Sequence, residues 1–518
     1  MKRTKKGNVL SVTMGQLLMV LALLVCVGPI FAAEQKPRYG GTLTMSDFVE
    51  ETNIGYPPKI MRPPAMRQGG AALENLLHTD MAGKMVPWLA AEVKEDPKAM
   101  IITITIRKGV KFHDGTDFNA EAVKWNLDQQ VAEKGLGTYN IKSVEVLNDS
   151  TVRINLKAWD STFTASLAQA TGLMMSPAAF KKNRKDWCSN NPVGTGPFQI
   201  VSRKQDVRTS FKKFDGYWQK GKPYLDRIEF TYIPDPLTRE MSLKKKEIDL
   251  MGTYNTNNLK TLEREGLIVL RRQQPAGARS LVFDSANPKS AFADVRVRQA
   301  AQYAVDTEAI NATIFYGEHE PTFQQIFKGS WAYNPSIVGY PYNPAKAKEL
   351  LAAAGYANGF KTKLIHRASP ENEQMYGAVQ NYLKAVGIDA ELEPIQLGRQ
   401  NELVMGGKWE GMLQAAQSNI DVLSMLNEMY TASGKFVNMA VPPDYLQAIK
   451  NGIAAKDFES KQKWTQEALK LQTDKYCLFL NLFVVREFGA QQPYVHNHGF
   501  LGNPNTGLWT PEDAWVDK

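Results

Sequence analysis

Residues 280–306 read SLVFDSANPKSAFADVRVRQAAQYAVD and change character three times. Ser280 to Phe283 is a short apolar strand. Asn287-Pro288-Lys289 then breaks regular structure, because proline fixes its own φ and pushes the preceding residue out of the helical region. Asp294 can accept backbone N–H bonds as a helix cap. Val297, Ala300, Ala301, Ala304 and Val305 follow at three- and four-residue spacing, an apolar stripe beside Arg296, Arg298 and Gln302. The stretch is strand, loop, amphipathic helix. It lies just past the middle of the 518 residues, so Phe283–Asn287 is expected to cross between two lobes, and Asp294–Asp306 to be the first helix of the second.

Downstream the grammar is α/β. Asn343-Pro344 supplies a cap and a proline at the first helical position, Ala345–Ala354 is rich in helix formers, and Gly355 ends it. Phe360–Ile365 reads as a strand, Glu371–Val386 as a helix stopped by Gly387, and Ile388–Ile395 as a strand: βαβ winding. Tyr476–Val485, YCLFLNLFVV, has the length of a buried strand, and its lateness predicts a return of the chain to the first lobe.

Upstream the chain is richer in strands. Gly40-Gly41 turns into a strand at Thr42, and the Pro-rich Tyr56–Pro64 is a loop. Ile101–Lys108 and Thr151–Lys157 carry strand patterns, the second with strict alternation. His113-Asp114-Gly115 is a tight turn and Asn119 a helix cap. Asn191–Val201 is a glycine-punctuated loop feeding a strand, Pro223–Ile233 is another strand, and Ile248-Asp249-Leu250 a short one next to Tyr254-Asn255.

The first 33 residues stand apart. Lys2, Arg3, Lys5 and Lys6 precede an apolar run of eleven, Leu17–Val27, closed by Gly28-Pro29 and followed by Ala32-Ala33: the pattern of a cleaved secretion signal. The run is shorter than the roughly 20 residues of a spanning helix. Leu23-Leu24-Val25 puts bulky residues before Cys26, which speaks against a lipid anchor there. Losing those four cations takes the net charge from +9 to +5, a mildly basic surface without the pattern of a nucleic-acid footprint. Aromatic residues at 10% and charged residues at 22% exclude a disordered chain, and the length calls for two or three cores. Cys188 and Cys477 remain in the exported chain, and spacing alone leaves their pairing open.

Gly194-Thr195-Gly196 invites a phosphate-loop reading, but that chemistry needs a helix after the glycines, and a strand follows. His113/Asp114, the His496/His498 pair and Glu74 with His78 are the places where a metal or an acid/base pair is conceivable. No HExxH, paired CxxC or GxSxG motif accompanies them. Catalytic residues, metal ligands and cofactors are therefore not expected.

Three ordered segments carry a family resemblance: Phe112–Gly115 with Asn119–Val123, Pro192–Phe198 (PVGTGPF), and Asp294–Ala300 (DVRVRQA) with Ala304-Val305-Asp306. Together with the secretion signal they resemble the signatures of the family 5 extracellular solute-binding proteins, the peptide, nickel and opine-type receptors of ABC importers. The resemblance implies an α/β, two-lobed periplasmic binding protein with hinge strands and an extra domain inserted in the first lobe. It implies a receptor rather than an enzyme. The implied division is 1–33 signal peptide; 34–80, 190–282 and 484–518 first lobe; 81–189 inserted domain; 283–483 second lobe. It further implies a periplasmic monomer that encloses a small-molecule ligand and delivers it to an ABC permease driven by cytoplasmic ATPases, with no nucleic-acid partner.

In peptide-binding members an aspartate after a Trp-containing strand pairs with the peptide's α-amino group. The matching segment, Met412–Leu426, places Ser418 there, a hydrogen-bonding group without charge, with Asp421 three residues on. Gln414, Gln417, Ser418 and Asn419 together point to a neutral, hydrogen-bonding ligand. The family's pocket geography adds Ser46 and Phe48, Tyr254 and Asn255, and Phe483 as wall residues. Two alternatives of other classes are a secreted hydrolase using His113/Asp114 or His496/His498, and a periplasmic chaperone or sensor that binds protein segments.

Overall fold

The computed structural model describes residues 36–518 apart from 48–49, 61–62, 81–82, 136, 254, 273–276, 416–420, 432–434 and 502–508. The signal segment, and the expected wall residues Phe48, Tyr254, Gln417, Ser418 and Asn419, lie outside the described residues. Three sheets organise the chain from Tyr39 on.

The first has seven strands in the order 198–204, 208–213, 227–232, 42–47, 250–253, 488–491, 268–271. Thr42–Asp47 runs parallel to both Arg227–Tyr232 and Leu250–Thr253, while Phe488–Gln491 is antiparallel to its two neighbours. The second has six strands, in the order 320–321, 479–484, 278–283, 412–414, 360–367, 388–395. Here Phe360–Arg367 is parallel to Ile388–Ile395 and to Met412–Gln414, and Ala278–Phe283 is antiparallel to both of its neighbours. A four-stranded antiparallel sheet, 90–96, 101–106, 151–156 and 141–148, has its own apolar core around Ile102, Ile104, Leu127, Val152 and Ile154. The architecture is α/β and two-lobed with a further domain.

Local signals account for most helix boundaries. Asn119 accepts the Ala122 N–H at the start of Ala120–Ala132, Asn343 caps Pro344–Ala353, and Asp294 accepts the Arg296 N–H at the start of Val295–Ala304. Gly387 takes a φ of +102° where Pro370–Ala385 ends, and Ile388–Ile395 begins directly after it.

Two expectations are corrected and one is refined. Arg298 and Gln302, placed beside the apolar stripe, are 4% and 1% exposed. They are the polar interior of the helix, Gln302 exchanging hydrogen bonds with the backbone of Asn481 in the adjacent strand. Phe283–Asn287 is not the crossing: Ala278–Phe283 already lies in the six-stranded sheet, and the Asp284 N–H bonds to Gly411 O within that unit. The strand in Tyr476–Val485, observed as Phe479–Val484 with every residue buried, belongs to the six-stranded sheet too, and the return is made by Phe488–Gln491. A buried run reports depth, and depth does not say in which sheet. The chain therefore passes from one sheet to the other between the strands that end at Arg271 and begin at Ala278, and back again between Val484 and Phe488. These passages lie side by side, with Arg272 N–H bonded to Glu487 O (2.9 Å) and Val485 N–H to Gly277 O (3.0 Å).

Cys188 and Cys477 are both free and buried, so the open question of their pairing is answered in the negative. Burial pushes the two thiols up, to about 11 and about 12.

Candidate functional site

Strand direction locates the site. In the seven-stranded sheet the carboxyl ends of strands 42–47, 227–232, 250–253 and 268–271 share one edge with the amino end of 488–491. In the six-stranded sheet the carboxyl ends of 360–367, 388–395, 412–414 and 479–484 share one edge with the amino end of 278–283. Both crossing segments join these two edges. The edges therefore face each other, and a crevice outside the carboxyl ends of parallel strands is where α/β proteins bind ligands.

Each edge is polar and internally paired. On the first, Asp47 is buried at the end of its strand, with Arg67 Nη1 at 3.7 Å and Gln68 Nε2 at 3.4 Å. The Arg67 guanidinium also lies 4.9 Å over the Phe500 ring. On the second, Arg279 Nη1 donates to Glu371 Oε1 and Asn372 Oδ1, each at 2.9 Å. The crossing segments add an Arg272–Glu487 ion pair at 3.4 Å.

Four of the expected wall residues are described. Ser46 is buried beside Asp47 and donates weakly to its carbonyl at 3.4 Å. Asn255 is exposed past the end of its strand and shapes a turn by accepting the Asn257 N–H. Gln414 is on the second edge, but its side-chain oxygen accepts the Arg367 N–H at 2.9 Å, so it staples two strand ends together. Phe483 is fully buried, edge-on to Phe315 at 5.4 Å, and packs inside the second core. Asp421 caps helix Val422–Met429, and its Oδ2 pairs with Lys461 Nζ at 2.6 Å. Sequence reasoning missed Asp47, Arg67, Gln68, Arg279, Glu371 and Asn372. Charged or amide residues at the tips of apolar strands were the available signal.

The sites weighed for other chemistry are structural. Gly194 and Gly196 pack on the backbone of Ala71–Leu73: a Cβ at 194 would stand 2.1 Å from Ala72 O, which leaves no room for a phosphate. His113 is half-buried, its ring Nε2–H donates to Gly196 O (2.9 Å), and desolvation of the ring holds its pKa down at about 4. His498 is likewise depressed to about 4 by burial, and its Nδ1 accepts the Phe500 N–H. His496 stacks on Trp515 at 3.9 Å. Among the described residues no group of three or more His, Cys, Asp or Glu is placed to hold a metal.

Glu74 is fully buried and accepts from Thr195 Oγ1 (2.7 Å), Trp88 Nε1 (2.9 Å), Tyr217 OH (3.0 Å) and Trp218 Nε1 (3.1 Å). Burial pushes its carboxyl up to about 7, the four donors pulling the other way. Nearby Glu512, also buried, is pushed to about 8, first by burial and then by the Glu74 charge among others, and its Oε2 has no partner. A folded pKa above the unfolded value means stability that is complete below about 4.5 and is lost as pH rises toward 8. Glu512→Gln removes that group's share, so the variant is expected to gain on the order of a few kcal/mol over wild type between pH 5 and pH 8.5. Thermal unfolding at the two pH values measures it; an equal difference at both would refute the assignment.

Two facing carboxyl edges joined by paired crossing segments define a two-lobed α/β binding protein of the periplasmic type. The family model for bacterial extracellular solute-binding proteins, family 5, matches residues 84–436, and the chain belongs to that family. It is 34% identical to the glutathione-binding protein GsiB of Salmonella choleraesuis over 336 residues, 64% of each chain. It is 32% identical to heme-binding protein A of Haemophilus influenzae over 333 residues, 58% of this chain and 60% of that one. The matched stretches thus span somewhat under two thirds of these relatives. In structure it is similar to the periplasmic binding protein DppA of Helicobacter pylori in complex with the peptide STSA, with a TM-score of 0.76 and 23% identity over 93% of this chain and 99% of that one. No helix among the described residues is long and apolar enough to cross a membrane.

Proposed function

We propose that the chain is the solute-binding receptor of an ABC importer, which encloses a small polar, peptide-like ligand between its lobes and presents it to a membrane permease driven by cytoplasmic ATPases. The observation that carries this reading is the pair of facing strand edges in a chain of family 5. Closure would be a hinge motion where the chain leaves strand 268–271 for strand 278–283 and again at 485–487, a reading in which the lobe boundary falls several residues before 283 and just after 484. The remaining division, with 81–189 as the inserted domain, fits the separate core around Ile104 and Val152. Export to the periplasm through the segment 1–33, and action as a monomer, belong to the same proposal.

Ligand chemistry follows from the edges. Asp47 is matched by Arg67, and Arg279 by Glu371, so each edge presents hydrogen-bonding groups with little net charge. This suits a solute with several donors and acceptors, such as a short peptide or a peptide-like thiol of the kind named for GsiB. The engagement of His113, His496 and His498 in packing speaks against a hydrolase.

Native mass spectrometry of protein purified from periplasm without denaturation, followed by calorimetric titration with glutathione and with di- and tripeptides, tests the proposal. The expected result is one retained small molecule per chain, or saturable heat from one of these solutes. No retained molecule, together with no saturable heat from peptides, sugars, opines or metal chelates, would overturn it.

A further inference from the structure

Among the described residues the four-stranded domain hydrogen-bonds the second lobe through the short segment Trp159 to Ser161, and Lys84, before its first strand, lies 5.1 Å over the Phe458 ring. Trp159 Nε1 donates to Ala455 O at 2.6 Å, the Ser161 N–H to Ile453 O at 2.9 Å, and Ser161 Oγ to Gly452 O at 2.8 Å. These carbonyls lie at and just past the end of helix Pro443–Ile453, where a helix runs out of its own N–H donors. A helix terminus is a natural receptor for donors from elsewhere.

One side chain ties this contact to the candidate cleft. Lys461, in helix Phe458–Lys470, donates to Ser161 O at 3.1 Å and pairs at 2.6 Å with Asp421 Oδ2, its ammonium 5.1 Å from the Trp331 ring. Asp421 is the cap of helix Val422–Met429, which starts eight residues after the end of strand Met412–Gln414 on the second edge. Both Lys461 and Asp421 are shielded from water, their side chains 11% and 5% exposed.

We propose that Trp159 and Ser161 form a closure latch on the end of helix Pro443–Ile453, and that Lys461 is a positioning residue that couples this latch to the helix bordering the ligand cleft. The proposal rests on the reading of the chain as a receptor that opens and closes. The latch is built for reversal: its partners are two donors' worth of side chain and a few carbonyls, all of which water can satisfy when the lobes part, so each bond favours the closed form only modestly. Because Lys461 holds Ser161 O and Asp421 at once, parting the lobes removes one of the two acceptors that fix its position, and the cap of the cleft helix loses a fixed partner.

Hydrogen–deuterium exchange of the ligand-free full chain tests it. The variant Trp159→Phe/Ser161→Ala keeps the ring that packs on the four-stranded domain and deletes two latch donors. Exchange is expected to quicken about five- to thirty-fold, the factor for one to two lost net hydrogen bonds, in peptides covering 157–163 and 450–462 together. Peptides covering strands 101–106 and 360–367 should be unchanged, which shows that the variant is folded. Lys461→Met is expected to quicken 157–163 and also 421–429. Unchanged exchange, or a change on one side of the contact alone, overturns the latch. Coupled exchange in a protein for which no solute is found would leave the latch standing and remove the receptor reading; saturable ligand binding with uncoupled exchange would do the reverse.

Discussion

Arg298→Met is expected to lower the unfolding free energy of the second lobe by about 3–5 kcal/mol, a loss on the order of 10 °C in its thermal transition. The guanidinium is buried and works as a carbonyl clamp. Nη1 donates to Phe292 O (2.7 Å) and Ala293 O (3.0 Å), Nη2 to Tyr476 O (2.7 Å), and Nε is shared between Tyr476 O (3.0 Å) and Cys477 O (3.1 Å). It thereby fixes the turn before helix Val295–Ala304 and the approach to strand Phe479–Val484, which are remote in sequence. Methionine fills much the same volume but leaves four carbonyls without that donor, those of Phe292 and Cys477 buried, and an orphaned buried acceptor costs more than the bond contributed. Arg298→Lys is expected to fall between, since one ammonium cannot reproduce a planar fork that reaches both segments. A methionine variant within about 1 kcal/mol of wild type would show that water replaces the clamp.

The same residue shows what could and could not be read from the sequence. The spacing of Val297, Ala300, Ala301 and Ala304 found the helix, and Asp294 found its start, because both are local effects. That Arg298 and Gln302 point inward was invisible: a charged side chain at a helix flank is ordinarily solvated, and the local carbonyls of Phe292 and Ala293 satisfy Arg298 only together with those of Tyr476 and Cys477, contributed from far down the chain. The crossing was misplaced for a related reason. Asn287-Pro288 is a strong local break, and a break marks a loop without saying which sheets it separates. The true passages, after Arg271 and after Val484, are flanked by pairing between residues more than 200 positions apart, Arg272 with Glu487 and Gly277 with Val485. The candidate site was legible mainly through family resemblance. Gln414 lies at the second edge with its side chain accepting the Arg367 N–H, and Phe483 is buried in the core. The polar groups lining the edges come from strand tips that converge only once the sheets are assembled.

The signature PVGTGPF acquires its physical meaning at Glu74. Gly194 and Gly196 let the loop lie against Ala71–Leu73, and this brings Thr195 within 2.7 Å of the Glu74 carboxylate. Trp88 reaches the same carboxyl from the start of the four-stranded domain, and Tyr217 and Trp218 from the segment leading to strand Arg227–Tyr232. One buried acid thus joins three parts of the chain. Glu74→Ala would strand four donors, those of Thr195 and Tyr217 buried, and open a cavity, so a loss of at least ~4 kcal/mol is expected, from about 1–3 kcal/mol per orphaned group. Glu74→Gln keeps the shape and one acceptor oxygen, turns an NH2 toward donors, and should cost less. Its pH dependence is the sharper test. Wild-type Glu74, raised to about 7, contributes fully below about 4.5 and progressively less as pH rises through 7. Glutamine does not titrate. The stability gap between the chain that keeps Glu74 and the Glu74→Gln variant should therefore be widest near pH 4.5 and narrow by about 3 kcal/mol at pH 8.5. Because Glu74 and Glu512 interact and titrate as a pair, the comparison belongs in the Glu512→Gln background, where one carboxyl remains. A gap that stays constant, or widens toward alkaline pH, would mean that the four donors outweigh burial and hold Glu74 ionised throughout.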